Sequence, residues 1–374
     1  MNLKVKNLIV LFIIVLIFSC KENNKKQDIT NENYTKTVIK YAEGFEILNY
    51  KNYKKLIVKA PFLDSDEAFE FLLSTNTSKN DTIKIPLKNI VVTSTTHIPM
   101  LEVLNEENKL IGFPNTKYIS SKKTRKRIDN GSIRELGNEE NMNTELLLAM
   151  NPNAVIGFSL NSNNKMYNTI QKLGIPVIMN GDWLEKTPLG RAEWIKFFGV
   201  LFNKEKEADS IFNELENNYL TIKKLASKSN IKPTIISGGL FKDIWNLPAG
   251  ESFEASFLKD ANTTYLWASS KGTGSLSLNL ENVFEKGKNA EIWISPSFHT
   301  SLISMKNSNE IYANFDAFKN KQVYSFANKK GETGGLLYFE LAPSRPDLVL
   351  KDIIKIAHPE LLKDEEFTFF ERLK

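Results

Sequence analysis

Cysteine, histidine and net charge are all scarce in this chain. Its 374 residues hold one cysteine and three histidines. A single thiol cannot close an intrachain disulfide or build a zinc–thiolate site, and His97, His299 and His358 are too scattered for the spacing of a zinc centre. The formal charge is only +5, too small an excess to support nucleic-acid binding. No apolar run reaches the roughly 20 residues that a membrane span needs. A P-loop, a dinucleotide glycine fingerprint, a zincin motif and a nucleophile elbow are all missing, which removes the commonest signatures of catalysis. What is present is an ordinary globular composition, 41% hydrophobic and 25% charged, in a chain long enough for two domains with separate cores.

The N-terminus sets the compartment. Lys4 and Lys6 precede an unbroken apolar run from Leu8 to Phe18, which Ser19-Cys20 closes. So short a run fits a signal peptide over residues 1–19 better than an uncleaved anchor. The closing tetrapeptide Ile17-Phe18-Ser19-Cys20 resembles a lipoprotein cleavage site, and the resemblance implies that Cys20 is lipidated and becomes the mature N-terminus. Loss of Lys4 and Lys6 takes the formal charge from +5 to +3, and acylation leaves no thiol for catalysis. Residues 20–40 then read as a lipidated cysteine and a flexible, Asn/Lys-rich tether. The body is expected in the cell envelope, held to a membrane and facing the periplasm or the cell surface.

Two distant stretches of the body read alike. Asn143-Thr144-Glu145-Leu146-Leu147 leads through a polar turn to Asn153-Ala154-Val155-Ile156, and Asn279-Leu280-Glu281-Asn282-Val283 leads to Asn289-Ala290-Glu291-Ile292. Each is a capped helix feeding a strand, with Asn taking the free amides of the first turn and Glu favoured by the positive end of the helix. The repetition predicts two α/β lobes on one plan. Segments 45–62 and 69–87 look like hairpins that add edge strands. Beyond Ile90, strand and helix alternate, which predicts a mainly parallel sheet covered on both faces. Helical spacing of Trp194, Phe197, Phe198 and Leu201, restarting at Asn203, predicts a connecting helix over 188–229 between lobes at 41–187 and 230–374.

This arrangement, with G-I-P-V at residues 174–177 and P-L-G-R-A-E-W-I-K-F-F-G at 188–199, resembles the substrate-binding proteins of ABC importers for iron chelates, haem and cobalamin. The resemblance runs from about Ile85 to Leu361 and implies a class III periplasmic binding protein: two Rossmann-like lobes, a long helical connector and a non-catalytic protein that acts as a monomer. It further implies that Glu145 and Glu281 dock onto a permease dimer. The ligand is expected to be a small-molecule metal chelate, with no cofactor and no metal site of the protein's own. A ferric siderophore ranks ahead of haem and cobalamin, since cobalamin binders of the family carry aromatics where this chain has Glu139 and Ser275. The rival of another class is a chelatase-like enzyme, which needs a cluster of His or carboxylates.

Flat chelates need aromatic faces and donors for negative oxygens. On that ground Trp245, Phe241, Trp267 and Tyr338 are the expected aromatic contacts, with Trp245 first because its turn-rich segment offers little core to fill. Arg345, the basic run Lys122–Arg127 and His97, in a loop after a central strand, are further candidates, beside Thr95, Ser159, Asn161 and the loop at Gly334-Gly335.

Overall fold

Short β-branched runs become strands, and polar segments headed by Asn or Ser become helices packed over them. The computed structural model describes residues 33–374 apart from Ala60, Asp64, Asp66, 77–81 and Asn163. The signal peptide, Cys20 and the tether to residue 32 lie outside the described residues. Thr35–Lys374 forms one compact unit; Met1–Tyr34 forms another, of which only the last two residues are described.

Five strands, β1 (Thr35–Lys36), β2 (Phe45–Asn49), β3 (Lys54–Lys59), β4 (Ala68–Ser74) and β5 (Thr82–Lys84), form a sheet of their own in that order. The predicted edge hairpins are therefore corrected. β2 and β3 do make an antiparallel hairpin, but β4 and β5 pair in parallel, and neither pair joins an α/β sheet.

The first α/β sheet contains β6 (Ile90–Val92), β7 (Leu110–Phe113), β8 (Arg134–Glu135), β9 (Ala154–Gly157) and β10 (Val177–Met179), in the order β10-β9-β6-β7-β8. Its helices are α1 (His97–Val103), α2 (Lys122–Asp129), α3 (Thr144–Met150) and α4 (Lys165–Lys172). The connector follows as α5 (Pro188–Glu193), α6 (Ile195–Leu201) and α7 (Glu205–Ala226). It is three helical segments rather than one: Trp194 closes the first, and Asn203, at φ 55°, turns the chain into the long α7. The second lobe holds β11 (Thr234–Ser237), β12 (Gly239–Phe241), β13 (Ile244–Pro248), α8 (Phe253–Asp260), β14 (Thr264–Tyr265), β15 (Ser275–Leu278), α9 (Leu280–Gly287) and β16 (Ile292–Ile294). It closes with α10 (Leu302–Ser308), α11 (Asp316–Lys319), β17 (Val323–Ser325), α12 (Leu337–Leu341), α13 (Pro346–Ala357) and β18 (Glu371–Arg372). The main sheet runs β14-β11-β16-β17-β18, and β12-β13-β15 form a small antiparallel sheet beside it.

The two lobes share one core plan. In the first, β7-β6-β9-β10 is an all-parallel quartet; in the second, β14-β11-β16-β17 is the same quartet, with chain order 2-1-3-4 in both. The repeated Asn-Glu helices, α3 and α9, occupy the same place in each, entering the third strand. Strand order reverses between β6 and β9 and between β11 and β16, and in open parallel sheets the loops leaving the carboxyl ends at such a reversal diverge and leave a crevice.

Two buried glutamates tie the N-terminal segment to the connector. Glu193 accepts the backbone amides of Lys40, Tyr41 and Ala42 at 2.6–3.0 Å and the Lys196 ammonium at 2.9 Å. Glu185 accepts the amides of Glu43 and Gly44 and the Trp194 indole N–H at 2.9 Å. Charge-assisted bonds of this kind replace the water that the carboxylates lose.

Candidate functional site

The loops leaving the first-lobe crevice carry Thr93, Ser94 and Thr95 after β6, Pro114, Asn115 and Tyr118 after β7 and Phe158 after β9. Opposite them stand Gly334, Gly335, Leu336 and Phe339 of the second lobe. Together with Phe113 and Glu139 these line a cavity of about 440 Å³ between the lobes. A neighbouring cavity of about 450 Å³, lined by Ser159, Leu160, Asn161, Lys165 and Met166 among others, shares Glu139 and Phe158 with it.

Aromatic faces dominate the walls. Phe158 stands edge-on to Trp183, ring centroids 5.8 Å apart. Phe339 packs on Phe326 at 5.3 Å while staying half exposed, and Tyr118 is half exposed across from it. Behind Phe158 the Tyr167 hydroxyl lies 2.8 Å from Thr93 Oγ1, 2.7 Å from the Phe158 carbonyl and 3.1 Å from Glu139 Oε1. One phenolic proton cannot serve all three. Burial pushes the pKa of Glu139 up; the Tyr167 hydrogen bond pulls it back and Glu140 adds repulsion.

Deeper charges cluster where the connector meets the second lobe. Arg191 sits 3.6 Å above the Phe253 ring and donates to the Trp183 carbonyl at 2.7 Å. Asp182, fully buried and accepting from Thr96 Oγ1 at 3.3 Å, is raised to about 6 by burial, against the pull of Arg191. Glu254 is raised too, by the surrounding protein, although its side chain reaches solvent; Arg191 again opposes the shift.

The lobes touch directly along one side of the cavity. Glu340 of α12 accepts the amides of Ser120 at 2.5 Å and Ser121 at 2.8 Å, at the start of α2 in the other lobe. Thr333 Oγ1 donates to the Lys117 carbonyl at 2.7 Å. A Cβ on Gly335 would lie 2.2 Å from the Tyr118 carbonyl and one on Gly331 2.6 Å from Ser120 Cα, so only glycine permits this backbone approach.

Most of the expected ligand contacts fall elsewhere. Trp245 is a core residue: it is fully buried in β13, stacks on Trp293 at 5.1 Å and donates to the Ser237 carbonyl at 3.0 Å. Trp267 is buried against Tyr265. Phe241 is exposed at the β12–β13 turn and lines neither cavity. Tyr338 is buried on Phe326, and its neighbour Phe339 faces the cavity instead. His97 is wholly buried against Phe198, and burial pushes its pKa down to about 3. Arg345 makes a two-bond pair with Asp347 and lines a different cavity beside α7.

The basic run is a helix, α2, and three of its five cationic heads are held within their own lobe. Lys123 pairs with Glu107, Arg125 with Asp129 and the Thr116 carbonyl, and Arg127 with the carbonyls of Glu107 and Asn108. Thr95, Gly334 and Gly335 do line the main cavity, and Ser159 and Asn161 the adjoining one. Tyr118, Phe158 and Phe339 are absent from the expected contacts, and Glu139 entered only as a position where cobalamin binders of the family carry an aromatic. The sequence signal for Phe158 and Phe339 is their place after a strand or beside the Gly-Gly loop.

Glu145 and Glu281 stand exposed in the first turns of α3 and α9, one on each lobe. Both helices are capped alike: Asn143 Oδ1 accepts the Leu146 amide and Asn279 Oδ1 the Asn282 amide, each at 2.9 Å. Neither glutamate joins an ion pair among the described residues. Among these residues no group of three or more His, Cys, Asp or Glu is placed to hold a metal ion.

Comparison with known proteins bears on this geometry. The family model described as periplasmic binding protein matches residues 90–329. An uncharacterized lipoprotein of Methanocaldococcus jannaschii is 29% identical over 297 residues, 77% of this chain and 69% of its own. A possible iron-binding, periplasmic solute-binding protein from Staphylococcus epidermidis superposes with a TM-score of 0.57 at 17% identity, covering 73% of this chain and 99% of that one. Helicobacter pylori CeuE, solved with Ni(II) bound, gives 0.57 at 19% identity over 78% of this chain and 90% of its own. The periplasmic heme-binding protein HutB of Vibrio cholerae gives 0.54 at 15% identity over 70% and 99%. At such identities the structures show a common fold and nothing about the ligand.

Proposed function

The chain belongs to the periplasmic binding protein family, and on that premise we propose that it is the solute-binding component of an ABC importer, capturing a ferric siderophore or related metal chelate. The observation that carries this reading is the cavity of about 440 Å³ between the lobes, walled by aromatic faces and hydroxyls at the strand-order reversal of the first lobe. Its size suits a small chelate, and its aromatic walls offer flat surfaces that a hydrated metal ion alone would not use. The chemistry is non-covalent: ligand enters between the lobes, contacts both and favours the arrangement in which they touch. Glu145 and Glu281 then present one carboxylate per lobe to a two-fold partner. The lipid anchor at Cys20 keeps the protein at the membrane where that partner lies.

A fluorescence titration of the purified full-length protein in detergent tests this, against ferric catecholates, ferric hydroxamates, haem and cobalamin. Four of the five tryptophans are buried away from the cavity, whereas Trp183 touches its Phe158 wall. Saturable quenching by one class, lost in Trp183→Phe while the ligand still binds by equilibrium dialysis, is the expected result. Absence of binding across the panel overturns the metal-chelate reading.

A further inference from the structure

We propose that the chelate bound in the interlobe cavity carries a cationic group, seated between the aromatic walls against Glu139, and that Glu139 sets this preference. This rests on the capture reading and specifies its ligand. The cavity wall among the described residues contains one charged side chain, Glu139, and no Lys, Arg or His. The adjoining cavity adds Glu140 and Lys165, whose charges offset each other, so the joined space keeps a negative balance.

The deeper cluster adds one cation, Arg191, faced by two carboxyls, Asp182 and Glu254, whose pKa values burial raises. The nearby basic helix α2 puts no side chain in the cavity wall, and Lys123, Arg125 and Arg127 are held by carboxylates and carbonyls of their own lobe. An anion entering here would lose its hydration and find no positive side chain in the main wall, with only Lys117, whose ammonium lies 5.0 Å from the Tyr118 ring centroid, and Lys165 of the adjoining cavity beside it.

The walls are what a cation needs. Aromatic rings attract positive charge through their faces, most strongly where water is excluded, and a carboxylate at the rim of the same space supplies the counter-charge. Phe158, Tyr118 and Phe339 provide rings around the cavity, and Glu139 has its Oε1 fixed by Tyr167 at 3.1 Å. Burial disfavours the ionised form of Glu139. A bound cation would relieve that cost, so ligand charge and carboxylate charge stabilise each other.

The test uses full-length protein and three ferric complexes: a trihydroxamate bearing one free primary ammonium, its N-acetylated neutral counterpart, and a trianionic tricatecholate. Wild type is expected to bind the ammonium complex about tenfold tighter than the acetylated one, and the tricatecholate weakest. Glu139→Gln, nearly isosteric, should bring the first two within about threefold of each other. A second measurement needs no variant: raising salt should weaken the ammonium complex more than the neutral one. Tighter binding of the tricatecholate, or an ammonium preference that Glu139→Gln leaves intact, overturns the charge assignment alone and leaves chelate capture standing. Failure of wild type to bind any of the three removes the capture reading beneath it.

Discussion

Replacing Trp245 by alanine empties the centre of an aromatic stack that includes Trp293, Tyr312 and Phe315, with ring centroids 5.1–5.7 Å apart. The large-to-small cost in such a core is about 3–5 kcal/mol, and the indole donor to the Ser237 carbonyl goes with it. Urea unfolding of Trp245→Ala should show a loss of that size. Trp245→Phe, which keeps most of the volume, should leave the ligand Kd within about twofold, because nothing in the cavity touches it. A tenfold rise in Kd with unchanged stability would instead return Trp245 to the binding site. The same logic separates Tyr338 from Phe339: adjacent on α12, one points into the second-lobe core and the other into the cleft.

Under the proposed importer role, partner recognition falls to the two Asn-capped helices. Their first turns project Glu145 and Glu281 from equivalent places in equivalent quartets, so the pair records the arrangement of the lobes. Exposed ion pairs contribute only about 0–1 kcal/mol each, so a single alanine would weaken docking by no more than about fivefold. Charge reversal at both sites, Glu145→Arg with Glu281→Arg, replaces attraction by repulsion. Chelate uptake by cells is expected to collapse in the double variant while the ligand Kd of the purified protein stays within about twofold. Normal uptake would show that the helices dock nothing.

We predict that lobe arrangement responds to pH through Glu340, which bonds across the lobe contact. Burial lifts its pKa from 4.5 to about 7, the amides of Ser120 and Ser121 pull it down, and Glu102 adds repulsion. On that prediction the desolvation, the largest cause, is relieved when the lobes part: the carboxyl then binds its proton more tightly in the closed form, despite the two amide bonds lost on opening. Its contribution to closure is therefore full below about 4.5 and is lost as pH rises through about 7. Small-angle scattering of the unliganded protein should give a smaller radius of gyration at pH 5 than at pH 8. Glu340→Gln should abolish that difference, since it cannot titrate. A pH response that survives the substitution would place the titrating group elsewhere.

Some of this protein is written locally. Helical period and an N-terminal proline determined the helix from Pro346 to Ala357, asparagine caps determined the two repeated helices, and β-branched runs determined the strands at Ile90 and Thr234, since all of these depend on near neighbours in the chain. The duplication of Asn143–Ile156 and Asn279–Ile292 likewise carried the two-lobed plan, because the same local chemistry enters the same strand twice. The cavity was not legible in that way. Trp245 looked idle in a turn-rich segment because its burial depends on β15 and Trp293, which lie far along the chain from it. The basic run looked available because Glu107 and the Thr116 carbonyl, which occupy it, lie on other elements. Glu139 lines the cavity only after Tyr167 of α4 comes beside it. Side-chain type and spacing fixed which elements form; which face of each meets the cleft, and the sign of the charge it presents there, was decided only when the lobes packed together.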